Sequence, residues 1–72
     1  MPLTKRQTRV LRFLRDHPDE DIMLEGKEAY FGDYHTSVAL VYSLLRLGAL
    51  SQDQYSPLRF TINETGRNLL KP

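Results

Sequence analysis

The chain closes on a segment that leaves few conformations open to it. Thr61 and Ile62 complete an alternating run that starts at Leu58, Asn63 is a good helix N-cap, and Leu69-Leu70 give the residues after that cap an apolar edge. A strand is therefore expected to turn straight into a short capped helix. With 72 residues in all, there is room for one domain and one small core, since a domain of this size buries only about 60% of the surface its unfolded chain exposes. No cysteine is present, so neither a disulfide framework nor a thiolate metal site can supplement that core, which must be aliphatic and aromatic.

The net charge of +1 conceals a strong segregation. Residues 1 to 15 carry Lys5, Arg6, Arg9, Arg12 and Arg15 and no acid, a charge of +5. Residues 16 to 33 carry seven acids, Asp16, Asp19, Glu20, Asp21, Glu25, Glu28 and Asp33, against Lys27 alone, a charge of −6. The rest of the chain is +2. Such a distribution favours orientation in a field over uniform attraction to a polyanion. No apolar run approaches the roughly 20 residues that span a bilayer, and the basic N-terminus lacks the apolar stretch of a signal peptide, so a soluble cytoplasmic or nucleoid-associated protein with no membrane partner is expected.

A first helix should begin after Thr4, whose hydroxyl caps the first turn while Gln7 reaches back in a capping box. Val10, Leu11 and Leu14 share one side, with Phe13 at the edge, and Lys5, Arg9 and Arg12 form a stripe on the other. His17-Pro18 ends it. A second helix is expected over about Leu24 to Phe31, stopped by Gly32, and a third from Thr36 or Ser37 to Leu47, with Gly48 beyond its end. On a helical wheel Val38, Val41, Tyr42 and Leu45 of this helix share one side, Ala39, Ser43 and Arg46 lie opposite, and Leu40, Leu44 and Leu47 fall between. Ala49 to Gln52 and Leu58 to Ile62 read as two short strands, the second placing Leu58, Phe60 and Ile62 inward and Arg59 and Thr61 outward.

This order, with its T-x-x-G-R-x-L-L-like ending at Thr61–Leu70, resembles the winged helix-turn-helix domains of MarR-type and PadR-type transcription regulators. The resemblance implies an α+β fold: three helices, a two-stranded β-hairpin wing and a short C-terminal helix, in a single domain over 1–72, with the helix-turn-helix at about 24–47 and the wing at about 49–62. It also implies binding of double-stranded DNA by a small transcriptional regulator or architectural accessory protein, as a homodimer on two half-sites, with helix 36–47 in the major groove. The residues that would meet DNA are then His35, Thr36, Ser37, Ala39, Ser43 and Arg46 at that helix, Gln54 and Arg59 on the wing, and Lys5, Arg9 and Arg12 on helix one.

The rival class is a protein-interaction module on the same fold, because fold does not fix function. The acidic segment Asp16 to Asp33 supports it, and Leu40, Leu44 and Leu47 would be its contact surface. Whether Glu25, Glu28 and Asp33 lie beside the third helix discriminates between the two. Enzymatic readings find no footing. His17 and His35 have no partner at metal-ligand spacing, Asp19-Glu20-Asp21 lacks the spacing of a cation loop, and no nucleophile or glycine-rich phosphate motif occurs, so no catalytic residue, metal or cofactor is expected. A chain of this size is also expected to lack a ligand cleft of several hundred cubic ångströms.

Overall fold

The computed structural model describes residues 3–71. Its elements run α1 (Lys5–Asp16), β1 (Ile22–Glu25), β2 (Glu28–Phe31), β3 (Tyr34–Ser37), α2 (Val38–Arg46), β4 (Leu50–Gln52), β5 (Arg59–Ile62) and α3 (Glu64–Leu69). All five strands join one sheet in the order β3-β2-β1-β5-β4, and every pairing is antiparallel.

Helix α1 forms as its sequence dictates. The Thr4 hydroxyl accepts from the Gln7 N–H at 3.1 Å, and the Gln7 side-chain oxygen accepts from the Thr4 N–H at 3.0 Å, so two end donors that a helix cannot satisfy itself are paired. Val10, Leu11 and Leu14 are buried, and the helix stops before His17.

The second expected helix does not exist. Residues 22–37 form a three-stranded meander instead, so among the described residues there is no helix-turn-helix, and these residues fold as a five-stranded antiparallel sheet with three helices, far richer in strand than a winged helix with a two-stranded wing. Two glycines explain the difference. Gly26-Lys27 separates the paired residues Glu25 and Glu28, and Gly32-Asp33 separates Phe31 and Tyr34. Gly26 and Gly32 have φ of +63° and +58°, and positive φ at the first central position is what a two-residue turn of the II′ kind needs to match strand twist. A helix over 24–31 would instead carry Gly26 inside it, costing about 1 kcal/mol relative to alanine in a segment barely two turns long.

The expected hairpin over β4 and β5 does form, pairing Leu50 with Ile62 and Gln52 with Phe60. It is not a free wing. The other edge of β5 pairs with β1, Ile22 against Phe60 and Met23 against Arg59, which places the hairpin inside the sheet. Phe60 is buried and Ile62 half-buried, but Leu58, expected to point inward, precedes the strand and is 52% exposed. Its carbonyl accepts from the Leu24 N–H at 2.8 Å.

Helix α2 keeps the expected bounds within two residues, capped by the Ser37 hydroxyl, which accepts from the Leu40 N–H at 3.2 Å. Its rotation differs from expectation. Val41 and Leu44 are fully buried, Leu40, Leu45 and Leu47 pack against the core, and Tyr42 faces solvent. A helix apolar on most of its circumference gives periodicity little to choose by. The polar neighbours decide: the Gln7 side-chain amide donates to the Ser43 hydroxyl at 3.0 Å, and that hydroxyl donates to the Leu40 carbonyl at 2.6 Å, which holds Ser43 against α1 and leaves the Tyr42 hydroxyl to water.

At α3 the Asn63 side-chain oxygen accepts from the Gly66 N–H at 2.9 Å, while its amide nitrogen donates to the Gly48 carbonyl at 2.8 Å and the Ser51 hydroxyl at 3.1 Å. The core joins Val10, Leu11 and Leu14 of α1 and Val41 and Leu44 of α2 to Ile22, Ala29, Phe31, Leu50 and Phe60 of the sheet. Leu69 and Leu70 pack onto it. Among the described residues no helix is long and apolar enough to cross a membrane.

Candidate nucleic-acid interface

The polar side of α1 is the most strongly charged surface. Lys5, Arg6, Arg9 and Arg12 are all exposed, and among the described residues none of them forms an ion pair. Arg15 differs, because its Nε lies 2.9 Å from Asp16 Oδ1. The hydrogen bond from that guanidinium holds the Asp16 carboxyl below its usual range. Leu3, Lys5, Thr8, Arg9 and Arg12 line an open groove along the helix.

On its other flank α1 runs beside the edge strand β3, and a cleft of about 380 Å³ lies between them. Arg6 and Arg9 form one wall, Val10 and Phe31 the floor, and Tyr34, His35, Thr36 and Ser37 the facing side, with Glu28 also on the lining. The expectation that a chain this short lacks such a volume is therefore overturned. The cause is geometric: α1 packs mainly on β5, α2 and α3, so the space between it and the edge strand β3 opens at the surface and needs no enclosing shell.

The expected contact residues fall into separate groups. His35, Thr36 and Ser37 share the cleft with Arg9, and Lys5, Arg9 and Arg12 share the groove. Arg9 joins the two. Ala39 and Arg46 are exposed on α2, as expected, but their companion there is Tyr42, while Ser43 is turned inward onto Gln7. Gln54 is exposed in the β4–β5 loop. Tyr55 beside it is 87% exposed and held only through its N–H, which donates to Asp53 Oδ2 at 2.9 Å. Arg59 alternates with buried Phe60 and so lies on the outer face of the sheet, where its Nη1 is 3.3 Å from Asp21 Oδ2. It faces away from the core side on which α1 packs against β5, and is already partnered by an acid.

Of the residues expected to form a protein contact, Leu44 is fully buried, and Leu40 and Leu47 are half-buried and pack on the core. The acids give a mixed answer. Glu28 pairs with Ser37 in the strand register, and its Oε2 lies 3.1 Å from His35 Nδ1, beside the start of α2. Asp33 occupies the turn at the far end of β3, and Glu25 is one strand further away. Among the described residues no three His, Asp or Glu side chains converge as metal ligands.

Glu28 and Tyr34 were missed because 24–31 reads as a helix, and Arg6 because it falls off the Lys5, Arg9 and Arg12 spacing. Two Gly-x turns six residues apart were the signal for the meander that assembles them. No family model, no curated protein and no solved structure matches the chain, so the surface has to be interpreted through its own chemistry.

Proposed function

We propose that the protein binds double-stranded DNA through the phosphate backbone, using the exposed face of α1. The observation that carries this is the row Lys5, Arg6, Arg9 and Arg12, exposed and without ion-pair partners among the described residues. Lys5 and Arg12 are seven residues apart, about 10 Å along a helix, a length over which a duplex presents several phosphates. Glu28 beside the start of α2 and the missing helix-turn-helix argue against base reading by that helix, so the binding is sequence-tolerant.

Four phosphate contacts give a log–log salt slope of about −3.6, so affinity falls about 150-fold between about 50 and 200 mM salt. Fluorescence anisotropy with random-sequence duplex at those two concentrations tests this. Loss of one contact, as in Arg12→Ala, should lower the slope by about one unit. Absence of binding at the lower salt would remove the reading. In that event the second reading, a protein-interaction module, would be favoured by Glu28 and by the exposed rings of Tyr30, Tyr34 and Tyr42.

A further inference from the structure

The cleft between α1 and β3 has a composition that duplex binding does not use. Its volume of about 380 Å³ falls in the range of small-molecule sites, about 300 to 1,000 Å³. Its lining combines the guanidinium groups of Arg6 and Arg9 and the hydroxyl residues Thr36 and Ser37 with the aromatic residues Phe31 and Tyr34. Tyr34 is 53% exposed, stacked on Phe31 with ring centroids 5.7 Å apart and set edge-on to Phe13 at 5.7 Å. The same three rings with Arg9 line a smaller pocket of about 130 Å³ that adjoins the cleft through Arg9, Phe31 and Tyr34.

We infer that this cleft binds a single unpaired nucleotide, its phosphate held by Arg6 and Arg9 and its base laid against Tyr34. Arginine forks match phosphate oxygens in pairs, and the hydroxyls of Thr36 and Ser37 add neutral donors on the opposite wall. A base offers a planar face to Tyr34 whatever its identity, so the site is tolerant of sequence. Glu28 also lines the cleft, its Oε2 3.1 Å from His35 Nδ1, and its charge opposes a phosphate there. The assignment goes beyond the duplex reading and shares Arg6 and Arg9 with it.

The test is a titration of the full chain, followed by amide NMR shifts, with adenosine monophosphate, adenosine and inorganic phosphate as probes. Saturable shifts at Arg9, Tyr34, Thr36 and Ser37 are expected with the monophosphate, and weaker binding with either half of it. Arg6→Gln should weaken monophosphate binding about tenfold. Tyr34→Leu, which keeps an apolar side chain on Phe31, should weaken the monophosphate and leave inorganic phosphate unchanged. Glu28→Gln should tighten both about fivefold, since it removes a like charge at the surface, a gain that a damaged fold cannot produce.

Lys5→Ala, which belongs to the groove alone, should leave the monophosphate affinity unchanged while reducing duplex binding, so the two readings fail separately. A trinucleotide carrying a terminal phosphate that binds more tightly than the monophosphate identifies strand ends as the source, and equal affinity identifies the free nucleotide. Shifts confined to Lys5, Thr8 and Arg12, equal affinity for adenosine and its monophosphate, or weaker binding by Glu28→Gln would each overturn the assignment.

Discussion

Replacing Gly66 with alanine sets two well-understood effects against each other. In an exposed helix the change would stabilise by about 1 kcal/mol, because alanine is the better helix former. In this fold an added Cβ would lie 2.4 Å from the Ala49 carbonyl oxygen and 2.8 Å from Ile62 Cγ1. An ordinary contact begins near 3.4 Å, so α3 would have to retreat by about 1 Å from backbone that cannot yield as a flexible side chain does. The same Ala49 oxygen accepts from the Asn63 N–H at 3.2 Å, and the Asn63 amide reaches the Gly48 carbonyl at 2.8 Å. Retreat of α3 weakens both.

Overpacking of this kind costs about 1 to 3 kcal/mol, and each weakened hydrogen bond about 1 kcal/mol. After the propensity gain the net loss is about 2 to 4 kcal/mol. For a domain of this size that lowers the melting temperature by about 8 to 30 °C. Thermal melts followed by far-ultraviolet circular dichroism read it directly, with Thr65→Ala, an exposed neighbour in the same helix, as the control that receives only the propensity gain. A melting temperature for Gly66→Ala equal to or above that of the control would refute the docking of α3 on the α2–β4 connection.

Leu44→Ala should cost about 2 to 5 kcal/mol, a large share of the stability of a small domain, and chemical denaturation should show partial unfolding without denaturant; a near-neutral change would return Leu44 to the surface. Glu25 and Glu28 face each other directly across β1 and β2, so Glu25→Thr should raise stability by about 0.2 to 1 kcal/mol in the same assay. Arg59→Ala should leave duplex affinity and its salt slope unchanged, because Arg59 pairs with Asp21 on the outer face; a slope lower by one unit in anisotropy titrations would bring that face into the DNA interface.

Local rules made both ends of the chain legible. Thr4 with Gln7 and Asn63 with Gly66 are caps between residues three apart, so the sequence window holds all the physics needed. The stripe of Lys5, Arg9 and Arg12 was visible for the same reason. The middle was not, because residues 24–31 carry apolar side chains at spacings that fit a short helix as well as two strands, and only the positive φ demanded at Gly26 and Gly32 separates the alternatives. The cleft arises from that meander and was invisible with it. The rotation of α2 depended on Gln7, which lies 36 positions from Ser43, a distance that no local pattern spans.

The sheet contains one seam between strands distant in sequence. The strands β1, β2 and β3 are successive, as are β4 and β5, and the two sets meet only where Ile22 and Met23 pair with Phe60 and Arg59 and the Leu24 N–H reaches the Leu58 carbonyl. Each set closes through short loops, whereas the seam must bring together residues 38 apart in the register of Ile22 and Phe60, and so bears most of the loop-closure entropy. Backbone pairing across it is therefore expected to follow pairing within each set, and once formed it is held by the buried side chains of Ile22 and Phe60. Two locally closed halves are thus joined at the middle of the sheet over one shared core, and the Leu24 amide is the position from which solvent exchange would report an opening of that join.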